Sequence, residues 1–252
     1  MGKNNKNRIL ILFVVAIVLC FFVQNSIKPS SIENEFKKSE LFFNTSIPSG
    51  LVNLEGILET DRAQYINEIS DIQDLLNESD LVINGSLVRR KQEGKTVNST
   101  VRVNQIISGS CSKNVVQVFE PYYIRESESQ IMLNSSYLPM EYGESYIIFL
   151  KKSDLYKNEN QFNLVSEFYG KYPKKSELNE RKVNNNSDYR YEDFKGVDLL
   201  LVDTMQIKKE IMDQELTKEE ANNEMEVIKR YEEYKNVIYK KLFQEVKIYV
   251  KE

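Results

Sequence analysis

The apolar positions of the chain hold one spacing for a stretch and then change it, and each change marks a segment. Ile9 to Val23 reads ILILFVVAIVLCFFV, apolar without interruption, behind a lead carrying Lys3, Lys6 and Arg8. A basic lead before such a run is an export or anchor signal. No small-x-small cleavage site follows Val23; QNSIKPSS offers only Asn25 and Ser26. Residues 1–23 therefore read as a cytoplasmic lead and an uncleaved transmembrane helix that spans with some bilayer thinning. A cleaved, secreted form is the alternative. The positive-inside rule leaves the lead in the cytoplasm and everything after Gln24 outside. Cys20 follows Leu19, where the acylated cysteine of a lipoprotein would follow a small residue, so it reads as part of the membrane helix.

Residues 24–60, with Pro29, Ser30, Ser31, Pro48 and Gly50, read as a polar stalk. From Asp61 the period becomes helical, with Tyr65, Ile69, Ile72, Leu75 and Leu76 at three- and four-residue steps. SDLVINGSLVRR (79–90) then alternates, but Leu81, Ile83, Ser86 and Val88 share one face only if the strand bends, and Gly85 is where it would bend. KQEGKT (91–96) is a turn around Gly94. From Thr96 to Ile107 a long strand puts Val97, Ser99, Val101, Val103 and Gln105 on one side. VVQVFEPYY supplies a third strand, ended by Pro121, and residues 125–142 read as an irregular polar excursion. After a turn at Gly143 and Glu144 comes SYIIFL, apolar on both faces, which suits a central strand covered on both sides. Lys151 and Lys152 mark its exit from the core, and QFNLVSEFYG (161–170) pairs back beside it. These strands make a small barrel over residues 61–172.

Residues 173–195, charged and Asn-rich, read as a linker, and 196–252 as helical. Val197, Leu201, Met205, Lys208 and Met212 trace one face, and Thr217 with Glu220 forms a capping box. Ile228, Tyr231, Tyr234, Ile238, Leu242, Val246 and Tyr249 continue as one apolar stripe. Two antiparallel helices, packed on each other or on the barrel, follow from this.

Composition removes more chemistry than it suggests. The chain has no His, so it can build neither a Ser-His-Asp nor a Cys-His system, nor a zinc site with imidazole ligands. Its two cysteines, Cys20 and Cys111, fall short of a disulfide scaffold or a four-cysteine site. A net charge of −4 provides no global field to gather nucleic acid or anionic lipid. No cofactor and no metal is expected.

SDLVINGSLVRR, the strand ending TVRVNQIISGS, VVQVF and YGESYIIFLKKSD resemble, in order and spacing, a class of exported bacterial proteins. In that class an "SD-I-V-x-G" strand, a "v-x-v-x-x-v-l-K-G" strand and a "G-x-x-Y-L-x-F-L" strand build a small OB-fold-like barrel, itself similar to the netrin-like domain of tissue inhibitors of metalloproteinases. The resemblance covers roughly residues 70–170. It implies a small OB-fold-like barrel there; with the segments read at either end, the chain is expected to be α+β: an N-terminal transmembrane helix, a small OB-fold-like antiparallel β-barrel and a C-terminal α-helical hairpin. The inhibitors insert an N-terminal disulfide-bonded cysteine into their target's zinc site. Cys111 lies in an internal loop instead, and Ser110-Cys111 stands where the bacterial pattern has Lys-Gly, so the inhibitory mechanism does not transfer.

Leu81, Ile83, Val101, Val103, Val116, Val118, Ile147 and Phe149 are expected in the core. Tyr122 and Tyr123, near Arg125, could stack bases or sugars, although aromatics at a strand end are more often packing. Arg89 and Arg90, with Lys91 and Lys95, make a basic cluster suited to anionic lipid or wall polymer, or simply a solvated hairpin tip. Glu126, Glu128, Glu141 and Glu144 lack calcium-loop spacing and read as scattered surface acids. Cys111 could join two copies by a disulfide; an inert free thiol is the default. The sequence therefore reads as a non-enzymatic, membrane-anchored extracellular binding module of a bacterial envelope, partnered by an envelope protein. A nucleic-acid-binding OB-fold protein is the alternative, and a protease-inhibitor-like protein a further one.

Overall fold

The computed structural model describes residues 40–43, 69–94, 96–125, 130–133, 137–152, 159–183, 189–213 and 216–251. Ile9–Val23, the segment expected to be an anchor, lies outside the described residues, and among the described residues no helix is long and apolar enough to cross a membrane.

Two long strands, β2 (Leu81–Glu93) and β3 (Thr96–Gly109), form a hairpin, and β4 (Val115–Glu120) extends it. The strand β7 (Ser145–Lys152) returns to pair with β2, giving the spatial order β7-β2-β3-β4 of a Greek key. β8 (Gln161–Leu164) bridges β4 and β7 and closes a five-stranded barrel. Closure makes β8 parallel to β4, Gln117 opposite Gln161, so the barrel is not the wholly antiparallel one expected. A strand that joins two barrel edges running in opposite directions must be parallel to one of them.

Curvature comes from β2. Its register with β3 shifts at three places, one of them between Asn84 and Gly85. A Cβ on Gly85 would lie 2.5 Å from Val101 Cγ1, inside the barrel, so the bend brings the two strands closer than a side chain allows.

The run SYIIFL serves two cores. Tyr146, Ile148 and Leu150 face the barrel interior with Leu81, Ile83, Val101, Val116, Val118 and Phe162. Ile147 and Phe149 face outward into a second cluster with Val82 and with Tyr239, Leu242, Phe243 and Val246 of the C-terminal helix. Each such side chain withdrawn from water contributes about 1.5–3 kcal/mol. The far edge of β7 pairs with β8 in one half and with β9 (Lys171–Pro173) in the other. Between them Val165 N and Gly170 O still bond to Phe149 of β7, residues 166–169 loop out, and Val165, Phe168 and Tyr169 are buried in that second cluster. Of the return strand expected over 161–170 only Gln161–Leu164 forms, and a second short strand follows at Lys171–Pro173.

Several stretches carry more structure than their sequence announces. Inside the supposed excursion 125–142, β6 (Gln130–Leu133) pairs with β5 (Tyr122–Arg125), and with β1 (Glu40–Phe43) from the supposed stalk. Within 173–195, β10 (Glu180–Val183) pairs in parallel with β12 (Leu199–Val202), and β11 (Tyr189–Arg190) joins β1. A 3-10 turn over Tyr191–Phe194 buries Phe194. Val197 and Leu201 therefore belong to no helix: the helix begins after β12, and Met205 and Met212 are 78% and 73% exposed. Of the helix expected from Asp61, the described part is α1 (Ile72–Glu78), capped by Asp71.

Helices α2 (Thr204–Met212) and α3 (Lys218–Glu232) meet, and α3 opens on the Thr217–Glu220 capping box. It continues through a π-helical segment, Glu233–Ile238, into α4 (Tyr239–Tyr249). The wider π turn moves the buried face by a residue. Lys235 and Tyr239 are buried there, whereas Tyr234 and Ile238 are only half-buried.

Gly85→Ala is expected to lower stability by about 1–3 kcal/mol. In denaturant melts the Gly85→Ala/Val101→Ala double variant should lose less than the sum of the two single losses, because the contact that strains the first is gone from the second.

Candidate functional site

The barrel exterior has two unlike sides. Around β7 and the start of β2 it is apolar and covered by α4 and α1. Around β3, β4 and β8 most outward positions are polar: Thr100, Arg102 and Asn104 on β3, Gln117 on β4, Gln161 and Asn163 on β8; β4 also turns out Val115, which is exposed, and Phe119, which is buried. Alternation on β3 follows from this, since its inner residues Val101 and Val103 meet the core and its outer ones meet water. The side-chain amides of this face form a ladder. Asn98 Nδ2 donates to Gln117 Oε1 at 3.3 Å and Gln161 Nε2 donates to the same oxygen at 2.8 Å. Arg89 Nε donates to Thr100 Oγ1 at 3.2 Å.

The residues expected to bind are distributed differently. Arg89 is exposed on this face, but Arg90, its neighbour, points inward and is 2% exposed. Lys91 is exposed and pairs with Glu93 at 3.4 Å, and Lys95 lies outside the described residues, so the four basic residues do not form one patch. Tyr122 is fully buried, its ring stacked on Tyr137 at 6.4 Å, and cannot serve as a stacking platform. Tyr123 is half-buried on β5; Arg125 pairs with Gln130 through its backbone, and its side chain is outside the described residues. The β5 edge is covered by a side chain acting as backbone: Gln92 Nε2 donates to Ile124 O at 2.9 Å and its Oε1 accepts from Ile124 N at 2.6 Å.

Arg90 belongs to a buried polar cluster around Glu120, which the sequence reading missed. Glu120 is fully buried at the end of β4. Its carboxylate accepts from Ser99 Oγ, from Tyr137 OH at 2.7 Å and from Met140 N at 2.9 Å. Arg90 donates to Met140 O and lies 5.1 Å from the Tyr142 ring. Lys171 donates to Leu138 O, its ammonium 4.3 Å from the Tyr137 ring and 4.9 Å from Tyr146. Together these fix the strap 137–142, which buries Met140 in the barrel core. Ser99 on an otherwise apolar face and Glu120 before a proline were the available signals.

Burial pushes the Lys171 amine down to about 8, against the pull of Glu120, and Arg90 lowers it further. Burial raises the Tyr137 phenol, and Glu120 raises it more. Burial also raises Tyr146, and takes Tyr191 up to about 12. A cavity of about 20 Å³ lies beside Lys171, walled by Tyr137, Phe168, Asp198, Lys235 and Tyr239, with room for a water rather than an organic ligand. The carboxylates do not gather: Glu141 accepts from Gly196 N at 2.8 Å, Glu144 lies 3.6 Å from Lys175, and Glu126 and Glu128 are outside the described residues. Among the described residues no group of His, Cys, Asp and Glu could hold a metal ion.

The folded amine of Lys171 titrates near 8 and an unfolded lysine near about 10.4. Between these values the unfolded chain holds the extra proton, so stability should rise with pH. Above about 10, where unfolded tyrosines ionise, the raised phenols of Tyr137, Tyr146 and Tyr191 should turn the curve down. Urea melts from neutral to alkaline pH should show this maximum, and Lys171→Met should remove its rising limb.

A comparison with protein-family models finds no match, and a comparison with curated proteins finds none.

Proposed function

We propose that the chain is a non-enzymatic, membrane-anchored binding module of a bacterial cell envelope, with an OB-fold-like barrel held outside the membrane. The supporting observation is the one-sided cover of the barrel: helices occupy the exterior at β7 and β2, while no helix among the described residues covers the largely polar exterior at β3, β4 and β8. The Greek-key order of the five strands supports the OB-like reading, and barrels of that kind bind chain-like ligands across this part of their surface. Nucleic acid is less well served. The outer positions of β3 and β8 carry no aromatic platform, and Phe119 on β4 is buried. A protease-inhibitor role has no counterpart of the inserted cysteine, since Cys111 sits half-buried after β3 with its Sγ on Lys113 O at 3.2 Å.

Two measurements test this. Membrane-impermeant maleimide should label Cys111 on intact cells, in a full-length band; labelling that needs lysis would put the barrel in the cytoplasm. A photo-crosslinking residue replacing Arg102 should capture an envelope component on intact cells, while the same residue replacing Lys241, exposed on the helical side, should not. Equal capture from both, or none from either, would defeat the proposed face.

A further inference from the structure

Four polar side chains stand in one line across the polar face of β2, β3, β4 and β8. Strand register sets Arg89 beside Thr100, Thr100 beside Gln117, and Gln117 beside Gln161, crossing β2, β3, β4 and β8 in turn. Neighbouring strands lie about 4.8 Å apart, so the line runs about 14 Å. Each step is close to the length of one pyranose unit.

The hydrogen bonds already within the line decide what it offers to a ligand. Gln117 Oε1 is occupied by Asn98 and Gln161. Gln117 therefore presents its amide N–H groups and Gln161 its carbonyl oxygen, while Asn98, which is buried, serves to hold Gln117 in place. These are alternating donors and acceptors at fixed places, a pattern that suits hydroxyl groups, which donate and accept at once. At one end Arg89 spends its Nε on Thr100. The terminal nitrogens of its guanidinium remain available for a bidentate grip on an acid group. Arg102, exposed at the next outward position of β3, adds a second positive charge. No carboxylate stands in the line: Glu93 pairs with Lys91 at the hairpin tip, and Glu159 precedes β8.

We infer that this line seats an anionic glycan laid across the strands, its sugar hydroxyls on the amides and its acid group on Arg89. The inference rests on the binding-module reading and adds the chemical class of the ligand. Polyhydroxyl complementarity comes from the amide ladder, and charge complementarity from Arg89 and Arg102.

The test uses the full-length chain in detergent and three probes: an oligogalacturonate, a neutral malto-oligosaccharide of equal length, and an oligo-dT. Titration calorimetry should give saturable binding of the oligogalacturonate, weakened by salt, with weaker binding of the neutral chain. Arg89→Gln and Gln117→Glu should each lower the affinity about tenfold or more. Arg89 is exposed, and Gln117→Glu keeps the oxygen that accepts from Asn98 and Gln161, so the melting temperature should stay unchanged, and it is measured alongside. Undiminished binding in both variants, or tighter binding of oligo-dT, overturns the inference. No glycan binding, with capture still seen from position 102, overturns the glycan and leaves a different ligand on the same face. No glycan binding and no capture removes both.

Discussion

Much of the molecule depends on one buried carboxylate. Moving an ionised Glu out of water costs several kcal/mol unless its lone pairs are taken up by donors. Glu120 meets that condition by recruiting three parts of the chain: Ser99 from β3, Tyr137 from the strap and the backbone of Met140. Its own carbonyl accepts from Thr96 Oγ1 at 2.8 Å, which fixes the end of β4 against the start of β3. Losing any of these donors leaves the carboxylate part-bonded in an apolar setting. The hydrogen bonds to a charged group are each worth about 1.5–3 kcal/mol, so the strap and the barrel end hold or release together. Lys171 and Arg90 supply positive charge from β9 and β2, and each also grips a strap carbonyl.

The strap in turn decides how the barrel meets its surroundings. With Met140 buried in the core, the interior is a packed core and the exterior has to carry any function. Helix α4 takes the exterior beside β7, where Ile147 and Phe149 would otherwise face water, and Glu245 reaches from it to cap Ile72 N of α1 at 2.9 Å. Lys241 of the same helix donates to Ser70 O at 2.9 Å. The face opposite has no such cover among the described residues, and there the amides bond to one another.

How legible all this was depended on whether a residue's neighbours in sequence were also its neighbours in space. The strands from Leu81 to Leu150 declared themselves because alternation is local, and SYIIFL declared a doubly covered strand without saying what covers it. The capping box at Thr217 and Glu220 is a four-residue feature and was read correctly. Short strands were hidden when their partners were distant: β10 pairs with β12 across a charged segment, and β1 is inserted from a segment read as stalk. Val197 and Leu201 fitted a helical period by spacing alone, and pairing with β10 overrode it at Leu201. The arginines misled for another reason. Arg89 and Arg90 are adjacent and alike in sequence, but adjacent residues of a strand point to opposite faces, so one joined the open face and the other the buried cluster.

That division between two arginines also separates the two clusters that resemble a site. The Glu120 cluster has what catalysis often uses: a buried acid, a lysine of depressed basicity and tyrosines of raised pKa. Its groups, however, are spent on one another. The carboxylate already accepts three bonds, the Tyr137 hydroxyl is committed to it, and the neighbouring cavity has the size of a water. Shifted titration here records the cost of burial in a structural knot. The outer line shows the reverse: Gln117 has amide hydrogens, Gln161 a carbonyl and Arg89 terminal nitrogens that fold stability does not consume. Binding needs groups whose bonds are still to be made, and among the described residues the outward side of β2, β3, β4 and β8 offers such groups.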